Sequence, residues 1–283
     1  MKPRSLLFTI FGLYIRDYGS EIWIGSLTRL MTPFGFTEQA VRAAISRMFR
    51  QEWIESRKIG NKSYYSMTPR GVKRLEEAAA RIYRRDVNQW DGTWNIVSYS
   101  IPEKNRELRD QLRKELSWLG FGMLSSSTWI SPNKLTGKVE DLIDAYDLKG
   151  YVEIFASAHQ GSGEPRSLIE RCWNLEEING FYQAFIDEYK PRFEDFKQKK
   201  WNAPSDLDSF CFIEKTQMVH QYRKSLFIDP NLPKELLPDY WLGETAARLF
   251  EEYDALLDPG AKRFFNEVLV TPNDKELCTT MGK

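Results

Sequence analysis

The residues from Thr37 to Trp53 combine basic, amide and small side chains in a pattern that suits DNA binding. In TEQAVRAAISRMFRQEW, apolar residues recur at the spacing of one helical face, and they are Val41, Ala44, Ile45, Met48 and Phe49. The opposite face carries Gln39, Arg42, Ala43, Ser46, Arg47 and Arg50. Gln and Arg can each form two hydrogen bonds with a base edge, while Ala and Ser let a helix approach closely. We therefore predict a recognition helix with Thr37 as its N-cap.

A short basic hairpin is predicted directly after this helix. The segment IESRKIGNKSYYSMT has the turn pair Gly60-Asn61 between two runs that contain Ile, Tyr and Ser. Arg57, Lys58 and Lys62 surround that turn, where they would reach phosphates beside the groove. A basic helix face is also common on ordinary solvated surfaces. The adjoining hairpin and the upstream helices are what favour DNA.

Two upstream helices are expected to support the recognition helix. The first is predicted from Pro3 to Tyr18 and the second from Ile24 to Met31. Together with the recognition helix and the hairpin, they outline a winged helix-turn-helix over residues 1–68. The run from Pro69, rich in Ala, Glu and Arg, predicts a connector helix over residues 69–89.

Charge is distributed unevenly along the chain. The chain has 283 residues, enough for two or three domains, and a formal net charge of zero. Residues 1–90 contain 16 Lys and Arg against 8 Asp and Glu, whereas the rest contains 24 against 32. Because a basic surface attracts phosphates, this asymmetry locates the DNA contact in the N-terminal third. The acidic remainder is expected to serve dimerisation, sensing or both.

Cysteine and histidine are too few and too scattered to encode a disulfide framework or a zinc cluster. The cysteines are Cys172, Cys211 and Cys278, without a CxxC pair, and the histidines are His159 and His220. A reducing cytoplasm is therefore the expected compartment. The apolar start resembles a secretory signal but lacks a small-residue cleavage site, so we expect a folded helix there. No apolar run reaches the roughly 20 residues of a membrane span, and no membrane partner is expected.

Residues 90–160 alternate strands and helices. Strands are predicted over TWNIVSYSIP, Met123 to Ile130 and YVEIFASA, with helices over EKNRELRDQLRKELSWLG and Val139 to Tyr146. This order resembles a ferredoxin-like unit, of which three of the four strands can be placed. In residues 161–283 only helices are predicted, roughly Ser167–Tyr189, Ser205–Leu226, Gly243–Leu257 and Lys262–Val270. The predicted fold class is α+β, with a winged helix-turn-helix, a ferredoxin-like middle domain and a helical C-terminal domain.

Six motifs, in this order, make the chain resemble a known family. They are WIGSLTRLMTPFGFTEQAVRAAISRM from Trp23, the wing residues Ser63-Tyr64-Tyr65, RIYRR from Arg81, WDGTWNIV from Trp90, LSWLGFGML from Leu116, and VHQYRKSLFIDPNLPKELLPDYWLG from Val219. Over nearly its whole length the chain resembles the PaaX-type repressors of bacterial phenylacetic acid degradation operons. The resemblance implies a cytoplasmic transcriptional repressor, usually a homodimer, that binds operator DNA and releases it when phenylacetyl-CoA binds.

The resemblance also implies roles for particular residues. Base reading is assigned to Gln39, Arg42, Ser46, Arg47 and Arg50. Contacts with the DNA backbone are assigned to Arg57, Lys58 and Lys62.

An effector site is expected in the part of the chain that does not bind DNA. Arg223 and Lys224 would offer cations to the phosphates of a CoA ester, and His220 would donate a hydrogen bond. Solvated helix charges explain these residues equally well. An aryl ring needs an apolar pocket, and the aromatic candidates are Trp118, Trp129, Trp173, Phe181 and Trp241. The Pro-stiffened loop DPNLPKELLP, which begins at Asp229, would form a pocket wall or a dimer contact.

The middle region also resembles the ferredoxin-like nuclease of CRISPR adaptation. That family ends its first strand in a Tyr-Asp-Ile-Pro type motif with a metal-binding aspartate, where this chain has Tyr99-Ser100-Ile101-Pro102. Because a serine hydroxyl is a poor ligand for a hard divalent cation, we expect the nuclease site to be absent. No catalytic residue, metal or cofactor is expected in this chain. Two alternatives stay open: a nucleic-acid-processing enzyme built on this domain, and a constitutive DNA-binding protein without an effector.

Overall fold

The computed structural model describes residues 1–16, 21–83, 89–161 and 163–269. The chain divides into two units. The N-terminal unit consists of Met1–Arg84, Glu188–Arg223 and Arg248–Lys283, and the middle unit of Arg85–Asp187 and Lys224–Ala247. Residues of the predicted C-terminal domain thus contribute to both units. The predicted domain boundaries after residues 68, 89 and 160 stay a prediction.

The N-terminal unit begins with four helices and a three-stranded antiparallel sheet. The helices are α1 (Pro3–Ile10, followed by a π-helical segment, Phe11–Ile15), α2 (Ile24–Met31), α3 (Glu38–Arg50) and α4 (Pro69–Ile82). The strands are β1 (Glu21–Trp23), β2 (Ile54–Ile59) and β3 (Lys62–Met67), in the order β1-β3-β2. The sequence predicts the bounds of α2 correctly but does not predict β1.

Two helices predicted in the N-terminal third extend into residues that are not described. The first helix is predicted to reach Tyr18, and residues 17–20 are not described. The connector helix is predicted to continue to residue 89, but α4 ends at Ile82, and neither Tyr83 nor Gln89 is helical. Residues 84–88 are not described.

The middle unit contains a four-stranded antiparallel sheet and two helices that cross over between its strands. Its elements are β4 (Thr93–Tyr99), α5 (Arg106–Leu119), β5 (Gly122–Ser125), β6 (Thr128–Ser131), α6 (Thr136–Ala145) and β7 (Val152–Ala158). The βαββαβ succession and the strand order β5-β6-β4-β7 are those of the ferredoxin-like fold, as predicted. Leu112, Leu116 and Val139 of the helices share a completely buried cluster with Val97 of the sheet.

The strand predicted from Met123 to Ile130 is wrong, because this stretch is a hairpin formed by β5 and β6. Its centre is a run of serines, and serine favours turns because its hydroxyl competes for backbone hydrogen bonds. The Tyr99 hydroxyl donates to the Ser126 carbonyl at 2.7 Å, and the Tyr99 N–H donates to the Ser127 carbonyl at 3.0 Å. The hairpin supplies the fourth strand that the sequence pattern does not resolve.

Four helices make up most of the C-terminal part of the chain. They are α7 (Pro165–Cys172), α8 (Leu175–Gln198), α9 (Pro204–Leu226) and α10 (Gly243–Val268). The single helix predicted over Ser167–Tyr189 is wrong, because the helix is interrupted between α7 and α8. Asn174 begins a new helix there: its side-chain oxygen accepts the Glu177 N–H at 3.2 Å.

The two helices predicted at Gly243–Leu257 and Lys262–Val270 are also wrong, since α10 is continuous from Gly243 to Val268. The predicted end at Val270 lies outside the described residues. Pro259 lies inside this helix, where a proline removes one backbone hydrogen bond. Ala261 and Phe265, which follow it, are completely buried. The packing of Ala261 and Phe265 therefore outweighs the tendency of Pro259 to interrupt the helix.

The C-terminal helices complete the core of the N-terminal unit around α1. Leu6 and Ile10 of α1 are completely buried. The Tyr14 hydroxyl lies 3.2 Å from Thr216 Oγ1 of α9, and the Tyr14 ring stacks on Phe265 of α10 with 5.2 Å between centroids. The first helix of the chain is therefore held by residues more than 200 positions away.

The loop between α9 and α10 is fastened to the ferredoxin-like domain. Asn133, buried just after β6, donates its side-chain N–H groups to the carbonyls of Pro230 at 3.2 Å and Asn231 at 2.9 Å. Asp229 accepts a hydrogen bond from the Tyr182 hydroxyl and another from the Asn231 N–H. These bonds give the start of the loop one defined position.

Replacing Asn133 by alanine is expected to lower the free energy of unfolding by about 1–3 kcal/mol, because two loop carbonyls lose their donor. Urea unfolding followed by circular dichroism measures the change. The neighbouring Lys134→Ala variant is the control, since Lys134 is exposed and its one ion pair in the described part of the chain is a surface pair with Asp91. Equal stability of Asn133→Ala and the wild type would contradict this role for the amide.

Candidate nucleic-acid interface

Helix α3 begins where the sequence predicts. Thr37 has an extended backbone, and its hydroxyl oxygen accepts the Ala40 N–H at 3.2 Å. Val41, Ile45 and Met48 are almost completely buried. The N-cap and the buried stripe therefore fix both the start of the helix and the face that it presents to solvent.

Phe49 departs from the predicted pattern. Its spacing assigns it to the buried face, but its side chain is 48% exposed. It lies eight residues after Val41, which turns it away from Val41 by about a fifth of a turn. Phe49 is therefore at the edge of the apolar stripe, beside the basic face.

The predicted outward face of α3 is exposed, and its members are Gln39, Arg42, Ala43, Ser46, Arg47 and Arg50. Arg42 is held by Glu38 one turn earlier, with 2.7 Å between Nη2 and a carboxylate oxygen. Arg47 and Arg50 have no ion pair among the residues that the structure describes. Two of the three arginines on this face therefore have guanidinium groups available to a ligand.

The hairpin after α3 forms as predicted. In the pairing of β2 with β3, Ile59 lies opposite Lys62 across the turn Gly60-Asn61. Gly60 has a φ of +59°, and glycine at the first central position suits a type II′ turn. Lys58, one residue before Ile59, is exposed. In the described part of the chain it has no ion pair.

Strand β1, which the sequence does not predict, brings a carboxylate to the hairpin. Arg57 donates from Nε and Nη2 to the two carboxylate oxygens of Glu21, at 2.9 and 2.6 Å. This side-chain hydrogen bonding with Glu21 raises the pKa of the Arg57 guanidinium above its ordinary value. Because the Arg57 side chain is 61% exposed, solvent screens the pair. Arg57 can reach a phosphate only by exchanging or sharing this partner.

The third hairpin cation, Lys62, lies over an aromatic ring. Its Nζ is 4.8 Å from the centroid of Trp23 in β1, within range of a cation–π interaction. Trp23 is paired with Tyr64 in the sheet. The interaction holds the lysine at the base of the turn and leaves its charge intact.

The base of the hairpin is secured by Trp53, directly before β2. The Phe8 ring of α1 meets the Trp53 ring edge-on at 5.5 Å, and the Arg70 guanidinium lies 4.4 Å from its centroid. The Trp53 carbonyl accepts the Thr68 N–H at 3.1 Å. These contacts fix the position of the hairpin relative to α1 and α4.

The structure places two of the three predicted effector residues against α1. His220 is buried, and its Nδ1 lies 3.0 Å from Thr9 Oγ1. Arg223 Nη2 donates to the carbonyl and the hydroxyl of Ser5, at 2.8 and 2.6 Å. Burial lowers the pKa of the Arg223 guanidinium to about 10, which leaves it charged at neutral pH. Lys224 is exposed.

These contacts give His220 and Arg223 a packing role between α9 and α1. The sequence signals for this role are weak, because a histidine and an arginine in a helix are common on solvated faces. Their assignment, with Lys224, to effector binding stays a prediction.

The position of the nuclease aspartate holds an exposed serine. Ser100 follows β4, and its N–H donates to the Tyr151 carbonyl at 2.8 Å. Across the described ranges, no group of three His, Cys, Asp or Glu side chains is arranged to hold a metal ion. None of the described helices has the length and apolar character needed to cross a membrane.

The fold and the basic surface define an α+β protein with a ferredoxin-like middle domain, a helical C-terminal part and a cationic N-terminal helix and hairpin. Three family models match the chain: "PaaX-like protein" at residues 2–71, "PaaX protein central Cas2-like domain" at 87–169 and "PaaX-like protein C-terminal domain" at 173–267. The chain belongs to the PaaX family.

Two known proteins are similar over most of the chain. The transcriptional repressor PaaX of Escherichia coli (strain K12) is 32% identical over 266 residues, which cover 93% of this chain and 83% of that protein. The uncharacterized protein Rv0674 from Mycobacterium tuberculosis has a TM-score of 0.57 and 18% identity, covering 92% of this chain and 96% of that one. The latter likeness shows the fold alone. The protein is thus a PaaX-type transcriptional repressor and not an enzyme, as predicted.

Proposed function

We propose that this protein represses a phenylacetate catabolic operon by binding operator DNA through an N-terminal winged helix-turn-helix. An aryl-CoA thioester such as phenylacetyl-CoA is the effector that releases it. The observation that carries the DNA-binding part is the outward face of α3, where Arg47 and Arg50 have no ion pair among the described residues. Membership of the PaaX family supports repression. The six sequence motifs support the pathway and the effector.

Helix α3 reads bases from the major groove in this proposal. Arg47 and Arg50 have guanidinium groups available for two hydrogen bonds to a guanine edge. Gln39 reads an adenine edge in the same way, and Ser46 lets the helix approach the bases. Arg42 contacts a base only after its ion pair with Glu38 is replaced by a contact with DNA.

The hairpin binds the DNA backbone beside the groove. Lys58 is exposed beside the turn and reaches a phosphate directly. To bind a phosphate, Arg57 must break or share its hydrogen bonds with Glu21. Lys62 must move away from the Trp23 ring to do the same. Only one of the three hairpin cations therefore binds a phosphate without giving up a partner.

The repressor acts as a homodimer in the cytoplasm. A two-fold dimer places its recognition helices in successive major grooves, about 34 Å apart. The operator is then a palindrome with half-sites one helical turn, or a multiple of it, apart.

Release requires the effector to bind the free protein more tightly than the DNA-bound protein, since equal affinity for both states shifts nothing. No cofactor takes part in this cycle. The thioester acts as a ligand and is not consumed.

Fluorescence anisotropy with the protein's own upstream promoter DNA, at one fixed salt concentration, tests the DNA-binding part. We expect promoter DNA to bind at least about 10³-fold more tightly than random DNA of equal length. Nuclease footprinting should then show a palindromic protected site. Equal affinity for both DNAs would overturn operator-specific repression and favour a constitutive DNA-binding protein.

The Glu21→Gln variant is expected to bind all DNA sequences about two- to fivefold more tightly, because Arg57 becomes available for a phosphate. The salt dependence of binding should steepen by about one counterion. The matched control is Glu55→Gln, which removes an equal charge from the same sheet. Among the described residues, Glu55 accepts a side-chain hydrogen bond only from the Ser66 hydroxyl. Equal changes in both variants would show that charge alone, and not release of Arg57, is responsible.

A further inference from the structure

A cleft in the middle unit lies where α7 meets α8, beside the loop that precedes α10. Its volume is about 600 Å³, in the range of small-molecule sites. Its lining includes Arg166, Arg171, Trp173, Leu236, Pro238 and Tyr240. It therefore combines basic, aromatic and aliphatic side chains, and one of the aromatic candidates from the sequence, Trp173, belongs to it.

Trp173 forms one wall of the cleft, and the ferredoxin-like sheet fixes its position. Gly122 begins β5, and a Cβ at this position would come within 2.6 Å of the Trp173 ring and 2.7 Å of Cys172 Cβ. Only glycine lets the indole approach the strand so closely. Ile169, another apolar residue of the lining, is almost completely buried. A rigid ring wall of this kind suits an apolar group on a ligand.

The wall formed by the loop before α10 is held by hydrogen bonds from other parts of the middle unit. Asn179 of α8 donates to the Tyr240 carbonyl at 3.3 Å and accepts the Leu242 N–H at 2.8 Å. The preceding loop is fastened by Asn133. The Tyr240 side chain itself is 58% exposed. Thus the backbone of this wall is preorganised, while an aromatic side chain at the cleft remains uncovered.

The polar lining of the cleft offers both hydrogen-bond donors and acceptors. Arg166 and Arg171 are exposed and form no ion pair within the described part of the chain. Glu170 and Glu176 also line the cleft. Arginine recognises phosphate oxygens with two parallel hydrogen bonds, and carboxylates accept from amide and amino groups. Coenzyme A carries all three of these groups.

We infer that this cleft is the effector site and binds a CoA thioester whose acyl group carries an aromatic ring. The ring packs on Trp173 and Tyr240, Arg166 and Arg171 bind phosphates, and the glutamates accept from the amide or adenine groups. The loop DPNLPKELLP is then a pocket wall and not a dimer contact, since its Leu236 and Pro238 line the cleft. This inference rests on the proposed effector response.

Isothermal titration of phenylacetyl-CoA, and separately of free CoA, into the full-length protein without DNA tests the cleft. Arg171→Ala is expected to weaken binding of both probes about tenfold. Tyr240→Ala is expected to weaken the thioester about tenfold but leave free CoA unchanged, because only the thioester carries the ring. Both side chains are exposed, so neither substitution is expected to disturb folding.

Matched controls come from exposed residues of the same unit outside the cleft. Arg106→Ala on α5 and Phe155→Ala on β7 should bind both probes like the wild type. If the wild type binds the thioester but Arg171→Ala and Tyr240→Ala bind it equally well, the cleft is not the site, while the proposed function stands. If the wild type fails to bind the thioester, the effector response itself is wrong, and the cleft assignment falls with it.

Discussion

The Arg47→Ala variant is expected to lose about 1–3 kcal/mol of operator binding, roughly a 5- to 150-fold loss of affinity. Arg47 is exposed in the third turn of α3 and has no ion pair among the described residues. Its guanidinium is therefore available for a base edge without breaking a bond within the protein. Affinity for random DNA should fall far less, and the preference at one base pair should relax. Anisotropy measurements on operator, single-base variants and random DNA check this.

The Lys58→Ala variant provides the contrast for this prediction. Lys58 is an exposed cation of the hairpin, and a phosphate contact carries no sequence information. Its loss should weaken binding to operator and random DNA by the same factor and reduce the salt dependence by about one counterion. If Arg47→Ala and Lys58→Ala both weaken operator and random DNA equally, the assignment of base reading to α3 is wrong.

The Tyr14→Ala variant is expected to lose about 3–5 kcal/mol of stability, because it removes a completely buried aromatic ring. This ring stacks on Phe265 and lies 5.2 Å from the Phe212 ring. Since α1 also contacts α3 through the core of the N-terminal unit, the loss should reduce operator affinity as well. Chemical unfolding and operator binding on the same preparation measure both effects.

The Tyr14→Phe variant separates the ring from its hydroxyl. It keeps the stacking and removes only the hydrogen bond with Thr216, so a loss of about 1 kcal/mol is expected. Operator affinity should stay at the wild-type level. If Tyr14→Ala unfolds at the same denaturant concentration as the wild type, the C-terminal helices do not hold α1 as described.

The sequence predicts the elements of the candidate interface well because their signals are local. Thr37 is an N-cap three residues before the N–H that it accepts, and the apolar period fixes the buried face of α3. Gly60-Asn61 encodes its turn in two adjacent residues. Such features depend on neighbours in the chain and need no knowledge of the fold.

The partners of the interface cations are not predictable in the same way. Glu21 and Arg57 are 36 positions apart and meet only because β1, three residues long, pairs with β3. A strand this short has no periodic signal. The sequence therefore identifies Arg57 as a phosphate-binding candidate but does not predict that Arg57 is already paired with the Glu21 carboxylate.

Long-range packing also determines which contacts two of the predicted effector residues make. His220 and Arg223 lie in a helix whose sequence is compatible with a solvated face or a ligand site. The structure shows their contacts with Thr9 and Ser5, more than 200 residues earlier. The aromatic candidate Trp173 lines a cleft only because the helix predicted over this range is interrupted before Asn174. The helical pattern of the sequence does not predict this interruption.

The most direct test of effector-controlled repression is a titration of phenylacetyl-CoA into the complex of the protein with its own upstream promoter DNA at fixed salt. Phenylacetate and free CoA serve as controls. We expect the thioester alone to release the DNA, and the DNA-bound protein to bind it more weakly by the same factor, as linkage requires. A complex that keeps its specific DNA at saturating thioester would contradict effector-controlled repression.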